Sequence, residues 1–225
     1  MKILYHVLGL AAAFCLMLAV LITSVEFTAY GIDGYYEREY RKYQVLQRVP
    51  MKMEDLLYVT EEMMEYLKAE REDLDIRTEI DGEEQEFFNA KEKRHMKDVR
   101  GLFLGGIQLR RGAMAVVLLV SAGLLLRKKV DILFRMLQWG IGLFLGSMAA
   151  LGILISTDFT KYFTYFHLIF FDNEDWFLNP KTDLLINIVP EGFFRDTVVL
   201  IVLLFFAASL LLWLGAGIMA KRMKK

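Results

Sequence analysis

Apolar residues along this chain are gathered into blocks rather than spread evenly. Ile3 to Thr23 is a nearly charge-free run, long enough as a helix to cross roughly 30 Å of hydrocarbon. Ile132 to Ile155 is a block of similar length, with Arg135 close enough to its end to snorkel, and Thr197 to Met219 is another. Ala113 to Leu126 is shorter, and at about 1.5 Å per residue it falls short of a full span. It crosses if Arg110 and Arg111 snorkel outward or the bilayer thins. The pattern predicts four transmembrane helices in an all-α membrane protein, with a small, mainly helical extracytoplasmic domain.

The polar stretches between the blocks have their own periodicity. From Met53 to Leu74, Leu56, Leu57, Met63, Met64 and Leu67 recur at helical spacing among charged residues. They predict an amphipathic helix whose apolar stripe packs on the rest of the outer domain. Asp73 to Glu84 is charged and carries Asp81-Gly82, the signature of a turn or short hairpin. A second outer helix is expected from Glu83 to about Arg100. Beyond it, Gly101, Gly105, Gly106 and Gly112 give the backbone freedom to bend or unwind. A bend there lets Leu102, Phe103, Leu104 and Ile107 dip toward lipid. One straight helix instead holds His95 about 27 Å above Ala113. Tyr30, Tyr35, Tyr36, Tyr40 and Tyr43 cluster just after the first block and read as an aromatic belt at the membrane interface.

Short basic clusters orient the chain. Lys2 precedes the first block, Arg127, Lys128 and Lys129 separate the second from the third, and Lys221, Arg222, Lys224 and Lys225 follow the last. Because such clusters stay on the cytoplasmic side, both termini are expected there. The expected organisation is a first anchor over 1–24, an extracytoplasmic domain over 25–111 and a transmembrane hairpin over 112–156. A second extracytoplasmic loop over 157–195 precedes a last helix with a basic tail over 196–225.

Composition changes this picture little. The chain is 56% hydrophobic, and its net charge of −1 says nothing about partners when a bilayer organises the molecule. The first block is read as an uncleaved anchor, since Ala19 to Phe27 offers no convincing small-residue cleavage site. Cys15, the single cysteine, lies inside that anchor; it excludes an intramolecular disulfide and a cysteine metal cluster, and reads as a packing residue.

Candidate chemistry centres on two of the three histidines, which fall in the two outer segments. Spacing places Glu92, His95 and Asp98 near one helix face, where a carboxylate beside an imidazole suits a general base. The stretch from Phe163 to Pro180 mixes an aromatic run with His167 and the acids Asp172, Glu174 and Asp175. Its apolar density suits a partly membrane-immersed surface. The acids either orient His167, bind a cation or form a polar loop tip, while Asn179, Pro180 and Asp183 look like turn chemistry.

Several strings carry a resemblance: Lys93-Arg-His95-Met-Lys-Asp98-Val, Phe166-His167-Leu-Ile-Phe-Phe171, Trp176-Phe-Leu-Asn-Pro180, and the run from Asp183 to Phe194. In order and spacing they resemble those of a Gram-positive family of four-span membrane proteins that includes the lipoprotein intramolecular transacylase. The resemblance implies acyltransferase chemistry on diacylglyceryl-modified lipoproteins at the outer face of the cell membrane. The sn-2 acyl chain would move to the α-amino group of the N-terminal cysteine, leaving the lyso form. On that expectation His95 is the general base, His167 its acid/base partner and Asp98 an orienting carboxylate. Arg100, Arg110 and Arg111 are candidates for the oxyanion or lipid head group, and Phe171 and Trp176 for substrate contact. No cofactor, no resident metal and no nucleic-acid partner is expected; membrane lipids are, and the oligomeric state is open. Two other readings use the same residues. One is a non-catalytic lipid- or protein-binding module, and the other a metal site built from the histidines and nearby acids.

Overall fold

Backbone hydrogen bonds have few partners other than the chain itself in a bilayer, so long apolar segments fold as helices. The computed structural model describes residues 2–223; Lys224, Lys225 and the side chain of Lys2, all used above for orientation, lie outside the described residues. In chain order come α1 (Lys2–Tyr30), α2 (Tyr35–Lys42), a single 3₁₀ turn (Val45–Gln47), α3 (Met53–Lys68), β1 (Arg77–Ile80) and β2 (Glu83–Glu86). There follow α4 (Ala90–Leu126), α5 (Val130–Thr157), α6 (Phe159–Phe170), α7 (Leu185–Ile188) and α8 (Glu191–Arg222). Four of these, α1, α4, α5 and α8, are long and apolar enough to cross a membrane.

The α4 helix departs at both ends from the helix expected over Glu83 to about Arg100. Glu83 to Glu86 is a strand, so the helix begins only at Ala90. It then runs without a break through Gly101, Gly105, Gly106 and Gly112 to Leu126. Each glycine costs roughly 0.5–1 kcal/mol relative to alanine, less than freeing buried backbone groups would. The short block from Ala113 therefore continues a helix already formed.

Two compact units divide the chain. The first holds the segments up to Phe27, Gly106–Thr157 and from Val199 onward. Met17, Ile141 and Phe205 form its buried centre, with Val20, Phe144 and Trp213 packed around them. Gly140 lies so close to Ala13 that a Cβ on it would overlap the alanine methyl. Many side chains of this unit point outward and are apolar, Leu119, Leu143 and Leu211 among them, as expected of lipid-facing positions.

The second unit comprises Thr28–Gly105 and Asp158–Val198. Helix α3 buries Leu56, Met63 and Leu67 of the predicted stripe together with Val59, while Leu57 and Met64 are half-buried. Strands β1 and β2 pair antiparallel with Ile80 opposite Glu83. Asp81 and Gly82 both take positive φ, 55° and 81°, the backbone a tight two-residue hairpin requires. The tyrosine cluster is not a belt: Tyr35 and Tyr40 are buried, and Tyr36 and Tyr40 stack on Phe193 at 5.9 and 6.4 Å. Tyr40 shares a 2.7 Å hydrogen bond with Thr60 and Tyr35 a 2.6 Å one with Thr197. Their hydroxyls are thus satisfied inside the unit, which removes the need to reach water.

A candidate active site built on two histidines

The start of α4 is set by a reciprocal cap. Asn89 Oδ1 accepts from the backbone N–H groups of Lys91 and Glu92 at 2.9 and 3.1 Å, while Glu92 Oε2 accepts from Asn89 N at 2.7 Å. Glu92 is buried, and its other oxygen accepts from Leu185 N at 2.6 Å, within the 157–195 segment. Burial pushes this carboxyl upward, and the backbone N–H groups oppose that. Asp183, also buried, accepts from Asn179 N at 2.6 Å, Asn89 Nδ2 at 2.9 Å and Thr182 at 2.9 Å. What read as turn chemistry therefore also ties the second outer segment to the first turn of α4.

One turn further along, His95 faces His167 of α6. The ring centroids are 6.1 Å apart, the planes tilted by 32°, and each residue is only 8% exposed. Phe171 meets His95 edge-on at 5.2 Å, and Trp176 lies over His167 at 4.9 Å and 30°. Phe163 packs edge-on against His167 at 4.5 Å. Two residues expected at the site from sequence, Phe171 and Trp176, are thus walls of the histidine pair.

The two imidazoles are held differently. His167 Nδ1 lies 2.7 Å from Phe163 O; a carbonyl can only accept, so the proton of neutral His167 sits on Nδ1 and Nε2 keeps its lone pair. His95 Nδ1 is buried with no hydrogen-bond partner among the described residues. Burial, then the charge on a protonated His167, pushes the His95 pKa down to about 4, against the opposing pull of Asp98 and Asp175. Burial lowers His167 too, opposed by its hydrogen bond to Phe163. Both rings are neutral near pH 7.

The remaining candidates fall in different places. Asp98 does not hydrogen-bond His95; it accepts from Asn173 Nδ2 at 2.8 Å. Asp175 forms a two-point pair with Arg94, at 2.8 and 2.9 Å. Lys91 Nζ donates to Phe177 O at 2.5 Å. Residues 91, 94 and 98 flank His95 along α4, and together these contacts strap the 173–177 segment, Trp176 included, onto that helix. Arg100 donates to Glu72 O at 3.1 Å and lies over the Tyr66 ring at 4.5 Å, so its contacts are with the core of the second unit rather than the histidines. Arg110 pairs with Glu26 in the first unit, and Arg111 is exposed. Sequence reasoning missed Glu92 as a cap and Arg94 as a strap. The Asn89-x-x-Glu92 spacing was the available signal for the cap; nothing local marks Arg94.

These features define a multi-pass membrane protein whose second unit encloses a buried histidine pair. The family model for the lipoprotein intramolecular transacylase, Lit, matches residues 10–194, and the chain belongs to that family of enzymes. Among solved structures, the membrane integral lipoprotein intramolecular transacylase Lit from Bacillus cereus shares the fold. Its TM-score is 0.80 at 17% identity, covering 100% of this chain and 99% of that one. Variants of the Bacillus cereus protein with a histidine replaced by alanine or by arginine give TM-scores of 0.78 and 0.77 at 18% and 19% identity. They cover 99% and 100% of this chain and 96% of each of theirs. A comparison with curated proteins returns no match.

Proposed function

We propose that this chain transfers the sn-2 acyl group of a diacylglyceryl-modified lipoprotein to the α-amino group of the same lipoprotein's N-terminal cysteine, by histidine acid/base catalysis. The observation that carries the reading is the pairing of His95 and His167 from separate outer segments, both buried and both neutral. The amine nitrogen attacks the ester carbonyl, an N–C bond forms, the ester C–O bond breaks, and the glyceryl oxygen leaves as a hydroxyl. One proton must leave nitrogen and one must reach oxygen, so a base and an acid that exchange protons suffice and nothing else is consumed. An α-amino group titrates near 8, so a neutral fraction is present at neutral pH to attack, and the proton the imidazole takes is the one nitrogen sheds as the N–C bond forms.

In this reading His95 is the base. The fields of Asp98 and Asp175 favour the imidazolium as it forms. His167, its tautomer fixed through Nδ1, is the acid/base partner. Asp98 acts through its charge and by anchoring Asn173, not as a hydrogen-bonded orienter. Phe171 and Trp176, the walls of the histidine pair, contact substrate, while Arg100 and Arg110 are engaged by protein groups. Donor and acceptor share one molecule, so holding them together supplies a large part of the barrier reduction without a covalent enzyme intermediate. The site belongs to the extracytoplasmic portion, residues 25–111 with 157–195, and both termini are cytoplasmic.

The test is mass spectrometry of a lipoprotein's N-terminal lipopeptide in cells that otherwise make only the diacylglyceryl form, with this chain or its His95→Ala/His167→Ala variant expressed. The expected result is an unchanged total mass with one acyl chain moved to nitrogen, dependent on the histidines and insensitive to chelators. An unchanged diacylglyceryl pattern, with the protein confirmed in the membrane, would instead establish the binding-module reading.

A further inference from the structure

A cleft of about 500 Å³, wholly within the second unit, lies between residues 29–37 and one face of α3, and neither histidine of the pair lines it. Four carboxylates do: Asp33, Glu37, Glu61 and Glu65. Glu37 is paired with Arg41, whereas Asp33, Glu61 and Glu65 have no ion pair or side-chain hydrogen bond among the described residues. Glu61 and Glu65 stand one turn apart on α3, a like-charge spacing that opposes the helix. A solvated helix face alternates sign; this one keeps a repulsion that a bound cation relieves.

The rest of the lining suits the same charge. Tyr30, Tyr35 and Tyr36 contribute aromatic rings, whose faces attract cations. Lys68, the single basic residue of the lining, displays that attraction, its Nζ reaching over the Tyr30 ring at 4.9 Å. Its ion pair, at 3.7 Å, is with Glu70, which does not line the cleft. The Tyr30 hydroxyl is buried with no hydrogen-bond partner among the described residues, so its oxygen is left for a donor. A phosphate would meet carboxylates here and one lysine already engaged, which disfavours a phospholipid head group and favours a cation carried on a peptide.

We propose that this cleft binds lysine or arginine side chains of the lipoprotein substrate, on the segment that follows its lipid-bearing cysteine. The identity of the peptide rests on the transacylase reading above. The reach fits. Tyr30 packs on Phe103 at 5.9 Å, and Phe103 lies eight residues along the unbroken α4 from His95, a rise of about 12 Å. An extended peptide covers that rise in about four residues, so the cations belong from about the fifth position onward.

The experiment uses the full chain in a non-ionic detergent, with diacylglyceryl-modified peptides that carry three lysines, three glutamines or three glutamates from the fifth residue. The lysine peptide should show a kcat/KM roughly fivefold above the glutamine peptide, through KM with kcat unchanged, and the glutamate peptide should fall below both. In Glu61→Gln/Glu65→Gln the three peptides should converge; the substitutions remove a repulsion, so α3 should stay folded. Glu54→Gln/Glu83→Gln takes the same charge from exposed positions outside the cleft and should keep the preference. Equal kcat/KM for the lysine and glutamine peptides on the wild-type chain overturns the proposal and leaves the transacylase reading intact. A preference that survives in Glu61→Gln/Glu65→Gln, or is lost from the control, overturns it too. Fluorescence anisotropy with a rhodamine-labelled lysine peptide lacking lipid separates the two readings. Binding that weakens about fivefold in Glu61→Gln/Glu65→Gln, beside no acyl transfer in any peptide, upholds the cleft and sinks only the transacylase reading. Displacement of that peptide by phosphocholine as readily as by lysine amide overturns the peptide assignment and gives the cleft to a lipid head group.

Discussion

Glu92→Ala should be among the most damaging single changes in the second unit, although Glu92 touches neither histidine ring in the contacts described. Its two oxygens accept from Asn89 N and Leu185 N at 2.7 and 2.6 Å, one opening α4 and the other fastening α7 to it. Hydrogen bonds to a charged group contribute about 1.5–3 kcal/mol each, and a buried N–H left without a partner costs about 1–3 kcal/mol. Leu185 is buried, so water does not replace the lost acceptor. Against this, burial already raises the Glu92 pKa, so removing the charge recovers part of the desolvation cost. The balance is a loss of about 3–4 kcal/mol for alanine. Glutamine keeps one acceptor and turns an amide donor toward the other N–H, so its loss should be smaller, about 2 kcal/mol. In thermal unfolding of purified protein in detergent, about 2–4 °C per kcal/mol translates this to roughly 10 °C for alanine and roughly half that for glutamine. Because the Glu92 contact also sets where α7 and the preceding strap lie, acyl transfer should fall in both variants below the unfolding temperature. An alanine variant within ~2 °C of wild type, or a glutamine variant less stable than alanine, would refute the reasoning.

Other outcomes follow from the same geometry. His167→Asn can keep a donor near Phe163 O but has no group in place of Nε2; transfer should drop roughly 10²–10⁴-fold with the fold retained, measured by lipopeptide mass spectrometry. The folded-state pKa of His95 is depressed to about 4 from an ordinary 6.5, so the unfolded chain binds more protons between these values. Its contribution is therefore fully present above pH 6.5 and is lost as pH falls toward 4, to a total of about 3 kcal/mol. Melting temperature against pH should fall more steeply in that window for wild type than for His95→Gln. Arg94→Ala removes an exposed two-point pair with Asp175, so thermal unfolding should shift little. Release of the strap carrying Trp176 should nonetheless raise hydrogen exchange across residues 173–177, and unchanged exchange there would remove the strap as a positioning device.

The sequence alone determined the features that depend on neighbours along the chain. Length and apolarity are sufficient for the spans, because a bilayer accepts only segments that satisfy their own backbone. The stripe of α3 and the Asp81-Gly82 hairpin were also legible, since helical period and positive-φ turn residues are local signals. The histidines were legible as candidates by residue type and segment. Tertiary structure decided what those residues meet. Tyr35 and Tyr40 are amphipathic enough for an interface or a core, and only the presence of Phe193, Thr60 and Thr197 sent them inward. Asp98 has the spacing of an orienting carboxylate, yet Asn173 from another segment takes its oxygen. Four glycines permitted a bend in α4, but an unbroken backbone ladder prevailed because opening it frees polar groups that only the whole fold could satisfy. The meeting of His95 with His167 depends on Glu92, Asp183 and Arg94 drawing two distant segments together, and such long-range pairing leaves no periodic trace in either segment.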